Sequence, residues 1–192
     1  MRYRRTEVAG ATYFFTVNLL NRKQTLLTDH IDTLRACIKT VKKRHPFHID
    51  AMVILPDHLH AIWTLPPGDA DFAKRWMLVK TAFSRSLPKH EIINQSRKLK
   101  RERGIWQRRY WEHLIRDDLD YQRHVDYIHY NPVKHGYVDK VVDWPHSSIH
   151  QFIKKGIISS DWGVGETTLS ASPPLYIRIL KLVRIEIARS TR

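Results

Sequence analysis

The chain is poor in cysteine and in acid, and each shortage closes off a class of protein. The lone cysteine, Cys37, excludes an internal disulfide and any zinc cluster built from several thiolates. Its position on the apolar side of a helical pattern makes it a small buried hydrophobe. Only 19 Asp and Glu stand against 33 Lys and Arg, a formal charge of +14. A chain so short of acid is built to meet a polyanion. Six Trp and eight Tyr supply stacking surfaces that an electrostatic membrane binder would not need, so nucleic acid leads an acidic lipid surface. No apolar run reaches the length of a membrane-crossing helix, and the basic start from Met1 to Arg5 lacks the apolar core of a signal peptide. The expected compartment is the cytoplasm, or the nucleoid of a bacterium. At 192 residues the chain is long enough to bury a proper core as one domain, or one domain with a tail.

What is present is an alternation of strand and helix patterns. Tyr13, Phe15, Val17 and Leu19 alternate with Thr12, Thr16 and Asn18, a strand with one polar face. Ile31, Leu34, Ile38 and Val41 recur at helical spacing, with Asp29 as the expected cap. Two apolar runs, 47–55 and 59–65, flank a bend at Pro56 and Asp57 and predict a hairpin. Asp71 opens a helix with Phe72, Trp76, Val79 and Phe83 on one side and Lys74, Lys80 and Arg85 on the other. A polar, strongly basic stretch follows from Lys89 to Arg109, and 105–115 reads as a strand. Asp117 or Asp118 caps a helix expected to stop near Tyr130, because Pro132 disfavours the α conformation at Asn131. The residues from 145 start a short helix. From Glu166 the composition turns to Ser, Thr and Pro, then to a basic and aliphatic tail. The expected division is therefore a domain over 1–165 and a tail of uncertain structure over 166–192.

That order predicts an α+β fold, a ferredoxin-like βαββαβ antiparallel sheet with an added helix behind it. Such a layout puts the first and third strands in the middle and both crossover helices on one face.

The candidate chemistry starts at His58-Leu59-His60. Residues two apart on a strand share a face, so the two imidazoles lie side by side while Leu59 anchors the other face. Pointed at the crossover helices they would be buried without partners; the pair is therefore expected on the open face. Alone, the pattern is weak. A second group raises it: Tyr127 and Asn131 lie four apart on the late helix and project together. Two imidazoles and an amide oxygen leave a divalent ion room for phosphate oxygens, a mixed set that suits Mg²⁺ or Mn²⁺. A phenol beside such a site can attack a phosphodiester in line. Free phenols ionise near pH ~10, so the cation field, the basic surroundings or a base must help; His129 and His124 are minor candidates for that base. The product would be a 5′-phosphotyrosine with a free 3′-OH, which conserves the bond for rejoining. Tyr121, Tyr130 and Tyr137 pair with no such ligand, and packing or a hydrogen bond is the better role for each.

At this point the chain resembles a known family. His58-Leu59-His60 is similar to the HUH motif. The run from Tyr127 to Gly136 (YIHYNPVKHG), with WEH at 111–113 and DWPHSS at 143–148, resembles the REP-associated tyrosine transposases, a branch of the single-tyrosine transposase superfamily. The likeness runs from about Tyr3 to Trp162. It implies metal-dependent cleavage and joining of single-stranded DNA at hairpin-forming repetitive extragenic palindromes. It also implies Tyr127 as nucleophile, His58 and His60 as metal ligands, Asn131 in the third-ligand place, and a monomer as the acting form. Guide reading next to the hairpin is expected on the N-terminal arm and the basic stretch, with Arg4, Arg5, Lys80, Arg85, Arg101, Arg103, Arg108, Arg109 and Trp111 as DNA-binding candidates. Two rivals remain: a domain derived from a transposase that holds hairpins without cutting them, and a phosphohydrolase that uses an activated water.

Overall fold

A computed structural model describes residues 7–163. Arg4, Arg5 and the tail over 166–192 lie outside those residues. The described residues divide into two compact units, one up to residue 115 and one from residue 116 on.

The first unit contains β1 (Thr12–Asn18), α1 (Leu26–Asp29), α2 (Ile31–Arg44), β2 (His48–Ile54), β3 (His58–Thr64), α3 (Phe72–Ser86), α4 (Gln95–Leu99) and β4 (Trp111–Leu114). Its sheet has the order β2-β3-β1-β4, antiparallel throughout. This is the ferredoxin-like arrangement expected, with β1 and β3 central. The alternating pattern decides which face is which. Tyr13, Phe15 and Val17 of β1 and Leu59, Ala61 and Trp63 of β3 pack with Leu34, Ile38 and Val41 of α2 and Phe72, Trp76, Val79 and Phe83 of α3. Trp63 stacks on Trp76 with ring centroids 3.9 Å apart and near-parallel planes. The aromatic stripe of α3 is thus core. Cys37 is half-buried and packs against the same core.

Asp71 caps α3 by accepting the Lys74 amide at 2.9 Å, as its sequence position promised. Asp29 does not cap α2. It ends the short α1, accepts from the Thr25 hydroxyl at 2.6 Å, and leaves His30 at the start of α2. The strand expected over 105–115 is shorter, because its pairing with β1 is interrupted. Thr16 pairs with Trp111, yet Leu19 pairs with Trp106, so two residues of β1 face four of the returning chain. A bulge of two residues swings Arg108 and Arg109 out of the ladder, and only Trp111–Leu114 is regular strand.

The second unit is built on α5 (Asp118–Lys134), a 3-10 turn over Val141–Asp143 and α6 (Ile149–Lys154). Asp117 caps α5 by accepting the Asp120 amide at 2.8 Å. The helix does not stop at Tyr130 but carries Pro132 inside it and runs one turn further. The proline forfeits one amide near the helix end, where few turns remain to be disrupted. The end itself is sealed by a Schellman motif: the Tyr137 amide donates to the Pro132 carbonyl at 3.0 Å and the Gly136 amide to Val133 at 2.9 Å. Gly136 sits at φ +70, the left-handed conformation that the motif requires. Asn131 is consequently a true helical residue, and its four-residue spacing from Tyr127 is helical spacing.

Candidate functional site

β3 carries the histidine pair. His58 and His60 project from the face opposite α2 and α3, as the strand period requires, and both are buried. Their rings are 5.0 Å apart and nearly perpendicular. Each is fixed through Nδ1. His60 Nδ1 lies 2.9 Å from the Thr16 hydroxyl, its cross-strand neighbour on β1. His58 Nδ1 lies 2.7 Å from Asp57 Oδ1. Arg22 also approaches His58 Nδ1, at 3.2 Å, while donating from Nε to Asp57 Oδ2 and from its other arm to Asn18 Oδ1 at 2.6 Å. One ring nitrogen cannot both donate to the carboxylate and accept from the guanidinium. The shorter, charge-assisted contact to Asp57 wins, so His58 carries its proton on Nδ1 and offers Nε2 as a lone pair. Burial pushes the Asp57 carboxyl up, but hydrogen bonds from His58 and Arg22 outweigh it and hold the group below the ordinary carboxylate range. A carboxylate behind an imidazole is the arrangement that orients a metal-binding histidine and raises its basicity.

α5 carries the other candidate residues. Asn131 is completely buried, and among the described residues neither its Oδ1 nor its Nδ2 has a hydrogen-bond partner. An orphaned carboxamide costs about 1–3 kcal/mol unless something outside the protein satisfies it. Oxygen from Asn131 and nitrogen from the two imidazoles are ligand types that suit a divalent cation, so these residues fit the metal that the motifs imply. Tyr127, on the same side of α5, is half-buried, and the Lys134 ammonium lies 4.8 Å from its ring centroid.

The two histidines considered as bases part ways. His129 is fully buried; its Nε2 lies 3.0 Å from Ser148 Oγ and its ring packs edge-on against Phe152. Burial, helped by the charge on His150, holds its pKa down to about 3. It is a neutral packing residue and a feeble base. His124 bonds back to the Asp120 carbonyl at 2.8 Å and lies 3.1 Å from the Asp120 carboxylate. Among the other tyrosines, Tyr121 is buried, Tyr130 packs beside Gly163, and Tyr137 stacks between His135 and Trp144.

The basic stretch sorts into cations that hold the loop and cations that face solvent. Arg103 donates to the carbonyls of Ser84, Leu87 and Pro88 at 2.6, 3.0 and 2.7 Å and forms a two-pronged ion pair with Glu91. Arg97, buried, donates to the carbonyls of Arg103 and Trp106. Arg108 bonds Glu102 and Ser96, although it is exposed. Lys80 donates to the Gln107 carbonyl at 2.6 Å and lies over the rings of Trp106 and Tyr110. Arg85, Arg101, Arg109 and Trp111 are exposed. Sequence reasoning missed Arg22 and Thr16, and read Asp57 only as a turn residue. The available signals were an acid directly before the first histidine and a polar face on β1.

Among the described residues no helix is long and apolar enough to cross a membrane. The family model described as "Transposase IS200 like" matches residues 7–131. The chain is 46% identical to the REP-associated tyrosine transposase of Escherichia coli K12, over 88% of this chain and 94% of that one. A Haemophilus influenzae protein given the same family name is 50% identical, over 84% of this chain and 92% of its own length. A solved structure of a REP-associated tyrosine transposase bound to a REP hairpin superposes with a TM-score of 0.75 at 45% identity, covering 90% of this chain and 96% of that one. With that coverage and identity, this chain belongs to the IS200-like transposases, in the branch of the REP-associated tyrosine transposases.

Proposed function

We propose that the protein cuts and rejoins single-stranded DNA beside a palindromic hairpin, with Tyr127 as the nucleophile. The observation that carries this reading is the buried, unsatisfied carboxamide of Asn131, set one helical turn from Tyr127. The prepared imidazoles of His58 and His60 support it, as does a relative whose solved structure holds a REP hairpin.

In this reading His58 Nε2, His60 Nε2 and Asn131 Oδ1 would hold Mg²⁺ or Mn²⁺, which when bound supplies charge neutralisation at the phosphate under attack. Asp57 and Thr16 keep the two rings aimed. The Tyr127 oxygen attacks the scissile phosphorus as its proton is lost, the bond from phosphorus to the 3′ oxygen breaks, and that oxygen takes up a proton to leave as a 3′-OH. The protein then carries a 5′-phosphotyrosine. A 3′-OH from another end reverses the step, so no nucleotide cofactor is consumed. The reading requires the Tyr127 phenol and the His58–His60 pair to meet at one phosphate. The protein is proposed to act as a monomer in the bacterial cytoplasm, at the nucleoid.

The test is a hairpin oligonucleotide, labelled in turn on each side of the break and incubated with Mn²⁺. A covalent adduct carrying the label from the 5′-phosphate side, abolished by Tyr127→Phe, is the expected outcome. Cutting that survives Tyr127→Phe with no adduct indicates an activated water. Binding of the hairpin with neither cutting nor adduct indicates a DNA-holding module.

A further inference from the structure

Thr16 is flanked in register by His60 on one side and by Trp111 on the other. Directly opposed residues of an antiparallel sheet point to the same face, so Trp111 stands in the row of the histidine pair, one strand beyond Thr16. A line of rings joins them. Phe14 stacks on His60 with centroids 5.5 Å apart and meets Trp111 edge-on at 5.6 Å. Trp111 in turn lies parallel to His113, the planes 7° apart and the centroids separated by 5.8 Å. The indole is therefore held on two sides, by Phe14 and by His113. It is nonetheless 52% exposed, on a strand at the edge of the sheet.

One exposed ring is ordinary by itself; what sets Trp111 apart is that it continues the row of rings leading to His60 and keeps about half its surface in water. Its neighbours say what it is held for. Arg109, two residues before it, is exposed, and Glu112, the acid beside it, is buried, so the solvent side of this edge is basic. Cation and aromatic together are the elements of a single-strand site, in which the cation tracks the backbone and the ring takes a base.

We propose that Trp111 is a base-stacking subsite that receives an unpaired base next to the scissile phosphate and sets where along the single strand the cut falls. The inference rests on the proposed function, because it takes the imidazole pair as the place of the phosphate. With one ring between Trp111 and His60, the stacked base belongs to a nucleotide about one to three positions from the cut. Stacking uses the π face that every base has, so the subsite fixes position and tolerates all four bases. Phe14 and His113 act through Trp111 as positioning residues.

The test uses the full chain carrying Tyr127→Phe, so that binding is read without chemistry, and a hairpin with a single-stranded flank. 2-Aminopurine replaces each flank position in turn, and its fluorescence reports stacking. Quenching concentrated at one position, removed by Trp111→Ala and partly restored by Trp111→Phe, is expected. Affinity is expected to fall about 5- to 150-fold in the alanine variant. Mn²⁺ affinity should not change, and the melting temperature should fall only by the few degrees that two lost ring contacts cost. An alanine variant that keeps the wild-type quenching profile overturns the inference. So does a loss of Mn²⁺ affinity in step with DNA affinity, which would make Trp111 a prop for His60 through Phe14. Failure of the Tyr127→Phe protein to bind any hairpin would sink the proposed function as well, whereas binding that ignores Trp111 sinks only the subsite.

Discussion

Arg103 separates a basic stretch that grips DNA from one that holds itself together. Its guanidinium makes three bonds to backbone carbonyls at the end of α3 and a two-pronged pair with Glu91, and its side chain is 16% exposed. Glu91 is held down to about 2 from 4.5, first by the hydrogen bond from Arg103, with burial opposing. That displacement corresponds to a ceiling of about 3 kcal/mol, which solvent screening at the protein rim reduces toward ~2. Truncation also strands three carbonyls, which water can reach in part. Arg103→Ala is therefore expected to cost about 2–3 kcal/mol, a fall in melting temperature of roughly 5–10 °C for a chain of this size. The pH dependence has a definite sign. A carboxyl depressed in the folded state stabilises fully above its unfolded pKa, so the gap between wild type and variant should be whole above pH 4.5. It should narrow as the pH falls toward about 2, leaving the pH-independent part that the three carbonyl bonds supply. The assay is urea denaturation at pH 7, 5, 4 and 3, together with hairpin affinity across salt concentrations. Arg109→Ala serves as the opposite control: unchanged stability and a salt slope lower by about 0.7, the loss of one single-strand phosphate contact. An Arg103→Ala protein as stable as wild type, with the salt slope reduced, would refute the reasoning and return Arg103 to the DNA surface.

Asp57→Ala should weaken Mn²⁺ binding about 10- to 100-fold by titration calorimetry, with Asp57→Asn milder because the amide oxygen still accepts from His58 Nδ1. Arg75 is buried and serves Asp69 and the carbonyls of Pro46 and Asp71, so Arg75→Met should cost about 3 kcal/mol in urea melts with no change in Mn²⁺ affinity. Gly136→Ala meets nothing within 4 Å yet must adopt φ +70. Its expected cost of about 1 kcal/mol is conformational, and it should appear as faster amide exchange in the last turn of α5.

The sheet was legible in the sequence because period two and period 3.6 are local, and burial follows them. The alternation in β1 and the one-residue offset of His58 and His60 from Leu59 placed the imidazoles on the correct face. Asp71 and Asp117 announced their helices because a side-chain cap is a local bond. What stayed hidden was set by tertiary partners. The Arg22–Asp57 pairing joins residues 35 apart through a guanidinium that no periodicity marks. Arg103 and Arg109 look alike in a charge run, and only the carbonyls at the end of α3 tell them apart. Pro132 reads locally as a stop, but the Schellman closure that begins four residues on, at Gly136, lets the helix run past it. The bulge before Trp111 is a register event, invisible in a strand's own residues.

The claim at the centre is that the Tyr127 phenol and the His58–His60 pair serve one bound ion. The direct measurement is ¹⁹F NMR of the full chain labelled with 3-fluorotyrosine, the Tyr127 signal assigned through Tyr127→Phe, during titration with Mn²⁺. That signal is expected to broaden first among the tyrosines, and to stay sharp in a His58→Ala, His60→Ala protein. A Tyr127 resonance that remains sharp while Mn²⁺ saturates the imidazoles would contradict it.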